Sequence, residues 1–402
     1  MRKRLLLLLI FPVMLSGCAE KIPFISEFMP EVAETEITAI PTEIPIVQEL
    51  PIDVTEEILL TETEPETETI PETEAVTEVS GTGDFLYDTM YSAFSQYETK
   101  VSFDGAVSQE ELETTYRKLN WEHPELFWLD GYVVTTWSNS AELECRVIDS
   151  CKGANLPAMY AEMEQKCDEI TAQAQGCPTD YEKVLFVHDY LVEHTEYDTA
   201  GARSDKHDLW NTAYGCLIRG NAVCQGYAEA FQMIMEKLGI PCGVCSGVAK
   251  YESHAWNYVC IDGVYYWIDV TWDDPVREGG ELKGTSHIYF LLDDEMMFRT
   301  RTLDEDNIFV PQCNSIQDNY YVRNGNYLTE YSFDEINRRM SENMDTGSIE
   351  LMYSDRASFQ TAVQKLFNEG EVWKTSAFAM GGSVQYSYDD DMYTIWLKFS
   401  PN

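Results

Sequence analysis

The chain has 402 residues, 44% of them apolar and 12% aromatic, enough for two or three packed domains and too apolar for a disordered chain. Its formal net charge is -43, from 70 acidic against 27 basic residues. Such a surface repels nucleic-acid phosphates and anionic lipid headgroups, so no nucleic-acid partner is expected.

The N-terminus reads as an export signal over residues 1–17. Met1-Arg-Lys-Arg4 is basic, and Leu5 to Met14 is an apolar run too short to span a bilayer. Leu15-Ser-Gly-Cys18 resembles the lipobox of bacterial lipoproteins. The resemblance implies that Cys18 becomes the lipidated N-terminus, because only a thiol can carry the thioether. The expected location is the cell membrane, lipid-anchored and facing outside the cytoplasm.

Residues 18–83 follow as an acidic stalk. From Ile22 to Thr99 there is no lysine or arginine, and Glu31 to Thr82 is almost entirely Glu, Thr, Pro, Ile and Val. Self-repulsion and proline stiffness predict an extended, disordered segment. A flexible coil of roughly 65 residues averages ~45 Å end to end, and a charged one reaches farther.

A small α/β module is expected over 84–155. Phe85 to Gln96 has helical spacing, and Ser108-Gln-Glu-Glu111 is a capping-box signature. Tyr132 to Trp137 and Leu143 to Ile148 read as strands around a polar turn. The module carries no catalytic constellation, and its His123 to Trp128 segment reads as packing. Two helices follow, Met159 to Ala174 and Asp180 to His194. His188 and His194 on the second do not share a face and read as structural or surface residues.

Residues 156–313 hold the chemistry. Apolar residues recur at helical spacing after Cys224 (Tyr227, Phe231, Ile234, Met235, Leu238), and Gly239 with Pro241 ends the run. Cys224 therefore opens a helix, where unpaired amides and the dipole favour a thiolate and can hold an oxyanion. Tyr251 to Ile261 and Val264 to Trp272 read as strands joined by Asp262-Gly263, a two-residue hairpin turn. Partner numbers then sum to 525. His254, Trp256 and Tyr258 share a sheet face with Tyr265, Trp267 and Asp269. His254 would face Thr271, and Asp269 would be its diagonal neighbour at roughly 7–8 Å between backbones. A one-residue slip would send Asp269 to the other face.

Ala213 to Ala228, His254-Ala-Trp-Asn257 and Asp269 to Pro275 together resemble the transglutaminase-like superfamily, as does the upstream Glu182 to Asp198 stretch. The resemblance spans about Thr179 to Pro275. It implies an α+β, papain-like core in which a nucleophile helix packs on an antiparallel sheet, flanked here by small α/β modules. It also implies that Cys224 is the nucleophile, His254 the general base and acid, and Asp269 the residue that orients the imidazole. The implied function is thiol acyl transfer on protein or peptide amides through a thioester, with peptide hydrolysis, glutamine deamidation or crosslinking as outcomes. The expected partner is a protein or peptide substrate, from the cell wall or a host. The alternative is a binding or scaffold lipoprotein that keeps the fold without catalysis. No cofactor and no metal are expected. Tyr227, Trp256 and Trp272 are candidates for lining a substrate groove, with core packing as the competing reading. Asp273 and Asp274 are expected to shape the turn before Pro275.

Eleven cysteines are present. Without Cys18 and Cys224, nine are left, so pairing all of them is impossible. Cys242-Gly-Val-Cys245 has redox-motif spacing but enters a strand, where residues three apart point to opposite faces. A third module is expected over 314–402. It would comprise strands at Tyr320 to Tyr327, a helix at Ser332 to Asn343, a strand at Ile349 to Tyr353, and a helix at Asp355 to Phe367. A terminal hairpin would join Ser383 to Tyr388 and Tyr393 to Phe399 across Asp389-Asp390-Asp391.

Overall fold

The computed structural model describes residues 85–274 and 285–401. The readings of the export signal, the lipobox cysteine, the stalk and Pro275 lie outside the described residues.

The first helix, α1 (Phe85–Ser95), turns into strand β1 (Lys100–Asp104), and α2 (Gln109–Glu122) follows. The hairpin β2 (Leu129–Thr136) and β3 (Ser140–Val147) completes a three-stranded sheet in the order β1-β3-β2. The capping box forms at α2: the Ser108 side chain accepts from the Glu111 amide, and Glu111 reaches back to the Ser108 amide.

The long helices α3 (Leu156–Ala174) and α4 (Asp180–His194) come next. α4 opens with a second capping box, Thr179 with Glu182. The short pair β4 (Glu196–Tyr197) and β5 (Asn221–Ala222) brackets α5 (Thr199–Ala202). Helix α6 (Cys224–Leu238) is buried along almost its whole length. Gly239 ends it at φ 71°, a left-handed stop that glycine adopts without penalty.

α6 packs on a four-stranded antiparallel sheet in the order β8-β7-β6-β9. The strands are β6 (Cys242–Ala249), β7 (Glu252–Ile261), β8 (Val264–Ile268) and β9 (Arg301–Leu303), with the short helix α7 (Asp294–Met297) before β9. Asp293 caps α7, and Asp294 accepts from Trp267 Nε1. The hairpin register is the one the turn dictates: Tyr258 faces Trp267 and Ile261 faces Val264, each pair summing to 525. Asp262 and Gly263 take φ of 51° and 81°, the paired left-handed geometry of a tight hairpin. The ladder is shorter than expected, however. It ends at Asn257–Ile268, and the chain then leaves the sheet in a turn instead of running to Trp272. His254 therefore does not face Thr271; on its other side it pairs with Gly247 of β6.

The last part begins with α8 (Tyr320–Arg323), a helical turn where strands were expected, capped by Asn319. Strand β10 (Tyr327–Leu328), helix α9 (Phe333–Glu342), β11 (Ser348–Tyr353), helix α10 (Arg356–Val363), β12 (Gly382–Asp389) and β13 (Thr394–Pro401) complete the chain. α10 ends at Val363 and widens into a π turn over Gln364–Asn368, which occupies the rest of the expected helix. The sheet order is β10-β11-β13-β12.

One continuous apolar core runs from Tyr87, Phe94 and Trp128 through Met163 and Val187 to Phe231, Tyr266 and Phe290. The residues of β1–β3 are thus buried against the helices that carry the site. A second core, around Leu351, Phe359 and Leu397, belongs to the C-terminal sheet. All ten described cysteines are free, Cys242 and Cys245 included.

Candidate active site

Helix α6 places Cys224 at its first position. The residue before it, Val223, has extended backbone and no side-chain cap bond. The first-turn amides of α6 are therefore not consumed by a cap, unlike those of α2 and α4. The Val223 amide donates to Trp210 O at 2.7 Å, which ties the helix start to the preceding loop.

That contact is close because residue 226 is glycine. A Cβ there would lie 2.7 Å from Thr212 O and 2.9 Å from Ala222 Cβ. Glu229, one turn on, is buried and accepts from the Ala213 amide at 3.0 Å and from Gln225 Nε2 at 2.8 Å. Burial pushes its carboxyl up to about 8, against the pull of those two bonds. On the sheet side, Asn257 Nδ2 donates to Ala228 O at 3.0 Å and to Gly243 O at 3.2 Å, pinning α6 to β6 and β7.

His254 lies on β7 with its ring buried, and its Nε2 is 2.8 Å from Asp269 Oδ2. Its ring also lies close enough to the Cys224 thiol to interact with it, so one imidazole stands beside both the sulfur and the carboxylate. Burial opposes protonation of His254. Asp269 and Cys224 together outweigh it and raise the imidazole to about 9. Asp269 sits one residue beyond the end of β8. Its amide donates to Tyr289 O at 3.1 Å, and its Oδ1 accepts from the Trp272 amide at 3.1 Å. Burial would raise its carboxyl, but His254 and Arg301 hold it down to about 2.

Arg301 was not legible in the sequence. It stands on β9, 2% exposed, and its Nη2 donates to Asp269 Oδ2. The guanidinium lies over the rings of Tyr289 (4.1 Å) and Trp272 (4.5 Å). β9 can pair with β6 only because residue 247 is glycine: a Cβ there would meet Thr302 O at 2.0 Å. No spacing signal marks an arginine brought in from 32 residues away.

Trp121 of α2 was also missed. With Val244 it packs on the small cluster of Cys224, Ala228 and Ala255, so a residue of the first module flanks the nucleophile. Of the expected groove residues, Trp272 is partly exposed and sets its ring edge-on to His254 at 5.8 Å. Trp256 and Tyr227 are 1% and 0% exposed, so both are core residues and not an open wall. Trp256 stacks beside His254 at 6.0 Å, and the Tyr227 hydroxyl donates to Asp274. Asp273 is fully buried, accepts from the Tyr289 amide and holds His188 Nε2 at 3.1 Å. His188 is thus an internal residue with a carboxylate at each ring nitrogen, whereas His194 is an exposed residue stacked on Tyr190.

Residues 168–271 match the family described as the transglutaminase-like superfamily, and the chain carries a transglutaminase-like domain with an α+β fold. It is similar to the kyphoscoliosis peptidase of Homo sapiens, 26% identical over 156 residues, which cover 35% of this chain and 23% of that protein. The Mus musculus kyphoscoliosis peptidase is 24% identical over 148 residues, 33% of this chain and 22% of that protein. The aligned region spans under a quarter of the length of these curated relatives. A crystal structure described as a TGase aligns with 48% of this chain and 55% of its own, at 15% identity and a TM-score of 0.27.

Proposed function

We propose that the protein is a thiol acyl-transfer enzyme acting on protein or peptide amides, with Cys224 as nucleophile, His254 as acid and base, and Asp269 as the group that orients His254. The observation that carries this reading is a buried imidazole hydrogen-bonded to Asp269 and standing beside the Cys224 thiol at the start of α6. An imidazolium beside the sulfur holds a proton ready for a leaving amine.

In the first step the Cys224 sulfur attacks the amide carbonyl carbon. The carbonyl oxygen takes up the negative charge, and the uncapped amides at the start of α6 are the available donors for it. The C–N bond then breaks, and His254 gives its proton to the departing amine. A thioester to Cys224 is left, with His254 neutral. In the second step neutral His254 takes a proton from water or from an incoming amine, which attacks the thioester and frees the thiolate. Water yields hydrolysis or deamidation, and an amine yields a crosslink. Arg301 stays bound to Asp269 throughout and keeps that carboxylate ionised.

Anchoring to the outer side of the membrane through Cys18 belongs to the same proposal, supported by the basic, apolar and Leu-Ser-Gly-Cys sequence at the start of the chain. The test is incubation with glutamine-containing peptides and a primary-amine tracer, read by mass. Amine incorporation, loss of ammonia or backbone cleavage that disappears in Cys224→Ala supports the reading and names the reaction. Activity that survives in Cys224→Ala rules out Cys224 as the nucleophile, and no activity with any peptide pool leaves the binding-only alternative.

A further inference from the structure

Away from Cys224, four side chains from three separate stretches of the chain, His188 and Asp189, Asp273, and His287, meet. His188 Nδ1 lies 2.9 Å from Asp189 Oδ1, and His287 Nε2 lies 2.9 Å from the same oxygen. The three atoms fall within 4.8 Å of one another. His188 and His287 are 0% and 7% exposed, while the Asp189 side chain is 34% exposed and opens the cluster to solvent. The far nitrogen of His188 is held by Asp273, itself locked by the Tyr289 amide. His287 is held flat against Tyr320, ring centres 3.8 Å apart.

The hydrogen-bond count is uneven. A neutral imidazole carries one N–H, yet His188 faces a carboxylate at each nitrogen. With one N–H given to Asp273, the Nδ1 position 2.9 Å from Asp189 Oδ1 is completed either by a second proton or by a bound cation. Among the described residues, neither Asp189 nor Asp273 has a lysine or arginine ion pair. Glu350 of β11 adds a third carboxyl close enough to act on His287 and Asp273. Ligand atoms bound at about 2.0–2.1 Å to one ion stand about 3 Å apart, and each ring nitrogen here stands 2.9 Å from Asp189 Oδ1. A histidine ligand whose second nitrogen is held by a buried carboxylate is the usual outer arrangement of such sites.

We propose that His188, Asp189 and His287 bind a divalent transition-metal ion, with Zn²⁺ best suited to this donor set, and that Asp273 orients His188 for it. The ion would join α4 to the segment before Tyr289. Through Asp273, whose amide donates to Asp269 O at 3.3 Å, it would brace the turn that bears Asp269. The site stands independently of the acyl-transfer reading.

The test uses the full-length protein, freed of metal with EDTA and titrated with ZnCl₂ by calorimetry. Parallel thermal melts and visible spectra with CoCl₂ accompany it. The expected result is one ion per chain, a raised melting midpoint, and cobalt d–d bands without the near-ultraviolet band of thiolate ligation. His287→Phe keeps the stack on Tyr320 and removes the ligand; it should abolish both binding and the rise in midpoint. Asp273→Asn should weaken binding ~10–100-fold. If His287→Phe melts differently from wild type without metal, Asp189→Asn, on the solvent side, decides the matter instead. Equal Zn²⁺ binding in wild type and both ligand variants, or thiolate-type cobalt spectra, would overturn the site and leave protons holding the cluster.

Discussion

Two helix starts in this molecule are built in opposite ways. α4 begins with Thr179 and Glu182, whose side chains close a reciprocal capping box. α6 begins after Val223, which offers no side-chain cap, and its first residue is the thiol. A cap is worth ~1 kcal/mol, so α6 forgoes stability that α4 keeps. The difference marks which helix end is structural and which is left open for chemistry. The missing cap is offset elsewhere: Asn257 and the buried Glu229 hold α6 from the sheet and from the 210–213 loop.

The largest effect should come from Cys224→Ala, which removes the nucleophile. Acyl transfer should fall by more than ~10⁴-fold with the thermal midpoint nearly unchanged. A comparable loss of activity in Thr179→Ala would erase the contrast between the two helix starts. Val223→Thr gives α6 the cap it lacks. If the first-turn amides serve the oxyanion, kcat should fall ~10²-fold while stability holds or rises. Unchanged kcat would move the oxyanion donors elsewhere.

The pH profile probes the open end directly. His254 must be protonated to release the amine, and its folded value is raised to about 9. Activity should therefore hold through neutral pH and fall as pH rises through about 9, roughly tenfold per unit beyond it. A fall centred near pH 6.5 would mean that Asp269 and Cys224 do not hold the imidazolium. Arg301→Met leaves the buried Asp269 with His254 as its one remaining cationic partner among the described residues, and denaturant unfolding should register a loss of up to ~3–5 kcal/mol. The smallest effect belongs to Thr179→Ala, ~1 kcal/mol of stability with activity kept.

Much of this was legible because local rules carried it. The capping boxes of α2 and α4, the Cys224 helix start with its Gly239 stop, and the Asp262-Gly263 register each depend on neighbours a few residues away. What escaped depends on chain brought in from afar. Arg301 reaches Asp269 across 32 residues, and Trp121 reaches Cys224 from the first module; neither has a period or spacing to betray it. The turn at Asp269 was missed because alternation of apolar residues continues through Trp272 although the ladder stops at Ile268. Tyr320 to Arg323 looked strand-like from its aromatic and β-branched residues, and the Asn319 cap decided for a helix.

The account rests on Cys224 being the thiol that His254 activates. The other deep thiols are raised by burial, Cys167, Cys216 and Cys245 each to about 12. The direct measurement is the rate of iodoacetamide alkylation of each cysteine at pH 6.5, resolved by peptide mass, in wild type and His254→Ala. Cys224 should react at least tenfold faster than any of those three and lose that lead in the variant. Alkylation of Cys224 no faster than theirs, or unchanged without His254, would contradict the account.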